Sequence, residues 1–244
     1  MFNLRGRRIL LTGAAGELGA PLASSLENAG AQVIALVREM PDGGISAACN
    51  ARIIAVNLAD HVALESAVKS EIDENGTIDT VINNAAYYPK AGITELTADE
   101  FQMVLQINAI AASVLTRVCA QGMIAKNFGR VINIASNTFD LGFKELSAYV
   151  ASKGALIGMT RTWARELGPN EISVNTVSPG EFQTAAESIH PNPEKYNKFV
   201  LNQQALKRRG KPADFVNLVM FLASEEGGFI TGQNIRVDGG WVTQ

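Results

Sequence analysis

Short runs of apolar residues alternate along this chain with longer stretches in which apolar residues recur at helical spacing. The short runs predict β-strands at residues 8–12, 32–37, 52–56, 80–83, 130–135, 172–178 and 234–237. The longer stretches predict helices at residues 18–29, 61–74, 99–126, 149–167 and 212–224. Thr97 or Asp99 is a candidate cap for the helix that starts near residue 99.

This alternation predicts the fold class. Apolar strands that alternate with helices pair in parallel and carry helices on both faces of the sheet. Right-handed crossovers then produce a doubly wound sheet. We therefore predict an α/β fold, a single Rossmann-type domain over residues 1–244 with about seven parallel strands. The long irregular region at about 181–207, which includes His190 and a short helical pattern, is predicted to be a substrate loop.

Composition narrows the class of partners. The chain has 244 residues, of which 47% are hydrophobic, enough to bury a large core. A formal net charge of −3 gives no electrostatic case for nucleic acid or an anionic membrane as partner. Cys49 and Cys119 lie far apart and lack metal-ligand spacing, which fits a reduced compartment. With only a short apolar run near its start, the chain is expected to be cytoplasmic and without a metal.

A tyrosine and a lysine on the helix predicted at 149–167 form a candidate acid/base pair. Tyr149 and Lys153 are four residues apart and therefore share one helix face. The pKa of free tyrosine is about 10, and a neighbouring ammonium group lowers it by favouring the phenolate. The pair is therefore a candidate proton donor and acceptor. Ser136 follows the strand at 130–135, where a strand would present a hydroxyl to a site.

The first predicted strand leads into a glycine-rich turn. Residues 12–19 read T-G-A-A-G-E-L-G and open the first predicted helix, a setting in which backbone N–H groups bind a pyrophosphate. An acidic residue at the end of the second strand would accept a hydrogen bond from the 2′-hydroxyl of NAD. This chain has Val37 there, followed by Arg38, which can pair with a 2′-phosphate. The sequence therefore favours NADP(H), with NAD(H) as the alternative.

Taken in order, these motifs resemble the short-chain dehydrogenase/reductase family, and the match runs over nearly the whole chain. The matching positions are residues 12–19 (T-G-x-x-x-G-x-G), 83–86 (N-N-A-G), Asn108, Ser136, Tyr149 with Lys153 (Y-x-x-x-K), 179–184 (P-G-x-x-x-T), 209–212, 230–233 and 237–240. The resemblance implies an oxidoreductase that interconverts an alcohol and a ketone by moving a hydride to or from a nicotinamide cofactor.

The resemblance also implies the roles of individual residues. Tyr149 would transfer the proton, while Lys153 would lower the pKa of Tyr149 and hold the nicotinamide ribose. Ser136 would orient the carbonyl or hydroxyl group of the substrate, and Asn108 would hold a water that links Lys153 to solvent. Together with the Arg38 discussed above, the expected cofactor contacts are Gly13, Gly16, Glu17, Leu18, Asn57, Leu58, Asn84, Ala85, Ala86, Tyr149, Lys153, Pro179, Gly180, Phe182 and Thr184.

The chain departs from the family pattern in the nucleotide half. Glu17 stands where the family has the middle glycine of its turn, which brings a carboxylate near the expected pyrophosphate; Gly16 can take over part of the turn. Ala86 replaces the last glycine of N-N-A-G, and the crossover after Arg38 is short. These changes keep a second hypothesis open, a dinucleotide-binding sensor or scaffold without turnover, whereas the complete set of candidate catalytic residues favours an enzyme.

No sequence feature names the substrate. Residues that follow the fourth, fifth and sixth strands are expected to form its pocket, and the candidates are Tyr87, Tyr88, Asn137, Phe139, Phe143 and Glu181. The aromatic members favour an apolar or ring-bearing substrate, or else they only pack the loops. Both a 3-oxoacyl thioester reductase and a dehydrogenase of a sugar, steroid or aromatic alcohol fit. The resemblance further implies a homotetramer or homodimer, held by the helices that carry Asn108 and Tyr149.

Overall fold

The computed structural model describes residues 2–40, 44–45, 49–182 and 192–243. Its strands are β1 Arg8–Thr12, β2 Gln32–Val37, β3 Arg52–Ala55, β4 Thr80–Asn83, β5 Gly129–Ile134, β6 Ile172–Pro179 and β7 Asn234–Val237. Its α-helices are α1 Gly19–Asn28, α2 His61–Asn75, α3 Ala98–Leu105, α4 Ala111–Lys126, α5 Thr138–Leu141, α6 Ser147–Leu167, α7 Pro193–Gln203 and α8 Pro212–Ala223. A π turn, Gln106–Ile110, joins α3 to α4, and a 3₁₀ turn, Gly168–Asn170, follows α6.

All seven strands form one sheet in the order β3-β2-β1-β4-β5-β6-β7, and every pair is parallel. The predicted doubly wound α/β sheet is therefore confirmed. The strand order reverses between β1 and β4, and the loops that follow these two strands separate there to opposite faces of the sheet. In such sheets the ligand crevice opens at this point, beyond the carboxyl ends of the strands.

The alternating residues of β1 show how the sheet is buried on both faces. Ile9 and Leu11 pack into one core cluster with α1 and α8, whereas Leu10 packs into a second cluster with α2 and α4. Because successive side chains of a strand point to opposite faces, both must be apolar when helices cover both sides. Each fully buried Leu or Ile contributes about 1.5–3 kcal/mol relative to an exposed one.

The long helix predicted at 99–126 is present but not regular. Thr97 caps it, since its hydroxyl accepts a hydrogen bond from the Glu100 N–H at 3.2 Å. The combined helix Ala98–Lys126 is long and apolar enough to cross a membrane by length and composition alone, but 56% of its most apolar window is buried inside the protein. That burial is typical of a core helix.

Candidate active site

The turn between β1 and α1 needs glycine at two positions. Gly13 has a φ of +65°, and a Cβ there would lie 2.9 Å from the Cα of Ala85. A Cβ on Gly19 would lie 2.0 Å from the carbonyl oxygen of Gly13. Backbone from β1, α1 and the β4 loop therefore meets at close range. No side chain caps the first turn of α1, so its backbone N–H groups can donate hydrogen bonds to a bound anion.

A threonine and an asparagine connect this turn to the end of β4. The Thr12 hydroxyl accepts hydrogen bonds from the backbone N–H groups of Asn84 and Ala85, both at 2.9 Å. The Asn84 amide donates to the carbonyl oxygens of Thr12 at 3.1 Å and Gly13 at 3.2 Å. Asn84, an expected cofactor contact, thus lies at the crevice and fixes the shape of the glycine-rich turn with its side chain.

A cavity of about 730 Å³, here called the cofactor cavity, opens at this crevice. Its lining contains the expected cofactor residues Gly13, Gly16, Glu17, Leu18, Arg38, Asn57, Leu58, Asn84, Ala85 and Ala86. Glu17 is an exposed member of this lining. Arg38 is 82% exposed and pairs with Glu39 at 3.3 Å. The glycine-rich backbone and the helix N-terminus suit the pyrophosphate of a dinucleotide.

Helix α6 begins two residues earlier than predicted, at Ser147, and holds Tyr149 and Lys153 on one face. Lys153 is buried, with 1% of its surface exposed, and its Nζ donates to the carbonyl oxygen of Ile134 at 2.6 Å. Nζ lies 5.3 Å from the centre of the Tyr149 ring. Burial lowers the pKa of Lys153 to about 7. A lysine in this state can take up or release a proton near neutral pH.

The pKa of Tyr149 differs from the sequence-based expectation. Burial raises it to about 12, the Ser136 hydroxyl lowers it in part, and the nearby Glu181 and Tyr88 raise it further. The expected downward shift caused by Lys153 is not found, since burial has the largest effect on the pKa of Tyr149 and raises it. Tyr149 is therefore a protonated phenol at neutral pH, the form that can donate to a carbonyl oxygen.

Asn108 lies in the π turn, where its amide is held by the protein. Its Oδ1 accepts from the Tyr87 N–H at 2.7 Å, and its Nδ2 donates to the Tyr87 carbonyl at 2.9 Å and to the Ser152 hydroxyl at 3.0 Å. The Ser152 hydroxyl donates in turn to the Tyr149 carbonyl at 2.7 Å. Both protons of the amide are thus used, and a water on this side chain would have to donate to Oδ1.

Ser152 is a residue that the sequence interpretation missed. It is fully buried, and it connects the π turn to the backbone of Tyr149. The sequence could have indicated this role, because residues 149, 152 and 153 of one helix share a face. The π turn itself has no apolar pattern that distinguishes it from a regular helix, although such turns are frequent at functional sites.

A second cavity of about 610 Å³, here called the catalytic cavity, contains Ser136, Tyr149 and Lys153. The two cavities share Leu18, Asn84, Ala86 and Tyr88. Expected residues that line the catalytic cavity are Tyr88, Phe143, Pro179, Gly180 and Glu181. The rings of Tyr88 and Tyr149 meet edge to face at 5.9 Å.

Several expected site residues lie elsewhere. Asn137 is buried, and its backbone N–H bonds to the Pro179 carbonyl at 3.0 Å. Phe139 packs close to Gly154 on α6, and Tyr87 lines the cofactor cavity instead. Phe182 is buried against Phe215 at 6.3 Å between ring centres and is in the described lining of neither cavity. Thr184 and His190 lie outside the described residues. Among the described residues no cluster of three His, Cys, Asp or Glu side chains could hold a metal ion.

A dinucleotide crevice that opens into a tyrosine, lysine and serine site defines a nicotinamide-dependent oxidoreductase. Comparison with known proteins agrees, since a family model described as Enoyl-(Acyl carrier protein) reductase matches residues 13–242. The 3-oxoacyl-[acyl-carrier-protein] reductase FabG of Thermotoga maritima is 32% identical, over 98% of this chain and 99% of that protein. L-xylulose reductase of Mesocricetus auratus is also 32% identical, over 98% of both chains.

A solved structure from Sinorhizobium meliloti 1021, provisionally described as a short-chain alcohol dehydrogenase, matches with a TM-score of 0.91 and 29% identity over 98% of both chains. The chain belongs to the short-chain dehydrogenase/reductase family. It is an NAD(P)-dependent oxidoreductase that interconverts an alcohol and a ketone.

Proposed function

We propose that the protein, as one domain, reduces a ketone to an alcohol with NADPH, or runs the reverse reaction, with Tyr149 as the proton donor and acceptor. The observation that carries this proposal is the junction of the two cavities at Leu18, Asn84, Ala86 and Tyr88, next to the Tyr149 site. A nicotinamide bound at this junction would supply or accept the hydride. The protein's part is to place the carbonyl oxygen beside an acidic proton.

The proton steps are assigned to three side chains. Ser136 donates a hydrogen bond that orients the substrate oxygen, and Tyr149 donates its proton to that oxygen. The phenolate that remains is buried and close to Lys153, whose pKa of about 7 allows it to return a proton. Asn108 acts as a positioning residue, because its amide is bonded to Tyr87 and Ser152.

The preference for NADP(H) rests on Arg38. Its guanidinium lines the cofactor cavity at the end of β2, next to the buried apolar Val37. A guanidinium can bind a 2′-phosphate through two parallel hydrogen bonds. Glu39 lies beside it and pairs with it, so the phosphate would have to displace that carboxylate. Thr184 and the backbone of Pro179, Gly180 and Phe182 are proposed to complete the nicotinamide end.

The substrate classes that fit are 3-oxoacyl thioesters and the alcohols of sugars, steroids or aromatic compounds. Tyr88, Phe143 and Phe199 give the catalytic cavity an aromatic lining, which supports a substrate with an apolar chain or a ring. The reductase and dehydrogenase names of the relatives span both kinds of substrate.

The proposal is tested by a screen of ketones and alcohols that follows nicotinamide absorbance, with Tyr149→Phe measured beside the wild type. We expect turnover of at least one ketone, a rate loss of about 10²–10⁴-fold in Tyr149→Phe, and unchanged cofactor binding in that variant. Full activity in Tyr149→Phe would remove the assigned proton donor. Cofactor binding without turnover across the panel would favour a sensor.

We also propose a cytoplasmic homotetramer. The helix that carries Asn108 exposes Met103, Ile110 and Ile124 at 41–44%, which supports a role in subunit contact, whereas Leu156 on α6 belongs to the core. Both cysteines are free thiols, as expected in a reducing compartment. Light scattering that gives the mass of one chain would overturn the assembly.

A further inference from the structure

Two lysine side chains at the rim of the catalytic cavity have no role in the proton transfer proposed above. Lys90 follows β4 and Lys144 precedes α6, and both are exposed residues that line this cavity. Within the described part of the chain, neither lysine has an ion pair or a hydrogen bond. Exposed lysines usually stay hydrated, so their shared position on a cavity wall is the informative feature.

The two loops that carry these lysines are joined through the backbone. The N–H of Ala91 donates to the carbonyl oxygen of Glu145 at 3.0 Å, which joins the residue after each lysine. Glu145 has a φ of +64°, in the left-handed region that a residue with a Cβ rarely adopts. Backbone strain of this kind is retained mostly where function requires a fixed loop conformation. Two like charges on joined loops at the rim of one cavity form a favourable site for an anion.

The other charges that face the catalytic cavity leave this end cationic. Lys153 is buried at the tyrosine and bonded to Ile134. Glu181 is the one carboxylate among the described lining residues, and it acts on Tyr149. Lys90 and Lys144 are exposed at the rim, whereas Lys153 at the reacting centre is buried. A single substrate that reaches both therefore carries its anion apart from its carbonyl.

Aromatic rings next to the lysines favour an apolar body between those two ends. Phe143 precedes Lys144 and meets Trp241 at 5.9 Å between ring centres, and Phe199 of α7 meets Trp241 at 5.8 Å. Phe143 and Phe199 both line the catalytic cavity. Their faces offer apolar contact and no strong hydrogen-bond acceptor, which suits hydrocarbon.

We propose that Lys90 and Lys144 bind an anionic group of the substrate, and that the substrate is a ketone with an apolar or ring-bearing body between its carbonyl and that anion. This inference rests on the proposed function. The anion is the carboxylate of a keto acid or the phosphate of a carrier attached through a thioester, since both present anionic oxygens to the ammonium groups.

Two pairs of matched substrates distinguish a carboxylate from a phosphate as the bound anion. One is benzoylbutyrate and its methyl ester, and the other is acetoacetyl-coenzyme A and the phosphate-free N-acetylcysteamine thioester. We expect kcat/KM of the wild type to favour the anionic member of one pair by about tenfold or more, equivalent to about 1.4 kcal/mol. In Lys90→Gln/Lys144→Gln that preference should fall to about twofold or less through KM, since the lysines act on binding. Lys198→Gln is the control, because this exposed lysine of α7 is outside the described cavity lining.

A preference within the first pair assigns the site to a carboxylate, and one within the second assigns it to a phosphate. Equal kcat/KM within both pairs overturns the inference, as does a preference that survives the double substitution or falls equally in Lys198→Gln. Calorimetric titration of Tyr149→Phe with each compound and NADPH separates this inference from the proposed function. Tighter binding of an anionic member supports the lysine site even if the wild type turns over neither pair, and equal binding overturns it.

Discussion

The amide of Asn108 and the hydroxyl of Ser152 are joined by a hydrogen bond of 3.0 Å, although the two residues are 44 positions apart in the chain. Asn108 lies in the π turn between α3 and α4, and Ser152 lies in α6. Through Ser152 the amide is connected to the carbonyl oxygen of Tyr149. The position of the phenol thus depends on a π turn in a different helix, because one buried hydroxyl serves as acceptor and donor at once.

Replacing this hydroxyl should slow catalysis. In Ser152→Ala we expect kcat to fall about tenfold with little change in cofactor affinity, since a lost hydrogen bond of about 1 kcal/mol loosens Tyr149 rather than the nucleotide crevice. Steady-state kinetics with both substrates varied measure this. Thr162→Ala, on the exposed side of α6, is the control. Equal losses of stability in both variants with unchanged kcat in Ser152→Ala would make the serine purely structural.

Stability should rise with pH because of Lys153. Its pKa is about 7 in the folded state against 10.5 as the ordinary value, so the unfolded chain binds more protons between these values and the free energy of unfolding increases with pH. Between pH 7 and 8.5 we expect a gain of about 1.5 kcal/mol from this residue. Urea titrations of wild type and Lys153→Met across that range measure it.

The test is restricted to pH values below 9 because of Cys119. Burial raises the pKa of this thiol to about 12, so above pH 9, where the thiol of the unfolded chain ionises, its contribution to stability falls with pH and offsets the rise from Lys153. The Lys153→Met variant should lack the rise between pH 7 and 8.5. Parallel pH dependence in the two proteins would show that Lys153 is not neutralised by folding.

A methyl group at Gly13 should damage the cofactor site. Gly13→Ala places a Cβ 2.9 Å from the Cα of Ala85 at a φ of +65°, so we expect a loss of about 1–3 kcal/mol in stability and at least about tenfold weaker NADPH binding. Fluorescence titration and urea unfolding measure the two effects. Gly158→Ala on α6, where the added methyl has no neighbour within 4 Å, should leave the affinity for NADPH unchanged. Equal affinities in both variants would contradict this account of the turn.

Arg38 should set the choice of cofactor. Arg38→Ala is expected to lower kcat/KM for NADPH about 10–100-fold, the equivalent of about 1.5–3 kcal/mol for a hydrogen bond to a charged group, and to change that for NADH about twofold or less. Glu39→Gln should raise kcat/KM for NADPH, because it removes the carboxylate paired with Arg38. A higher kcat/KM of the wild type for NADH than for NADPH would contradict the assignment of NADP(H) as the cofactor.

Much of the fold follows from the sequence because both faces of the sheet are covered. The centre of a strand such as β1 must then be apolar on both faces, as at Ile9, Leu10 and Leu11, and that pattern is visible without coordinates. The pKa of Tyr149 was not predictable in this way, because burial opposes the effect of a nearby amine and depends on every neighbour. Asn137 and Phe139 follow β5 like true pocket residues, but the short helix α5 directs them elsewhere.

The π turn Gln106–Ile110 holds one residue more than a regular helix of that length. Deleting one residue here would let α3 and α4 merge into an ordinary helix while swinging the Asn108 amide by about 100°. The backbone would accept such a deletion, but the link to the phenol would not survive it. Such a deletion is therefore expected to lower activity while it leaves the helix itself intact.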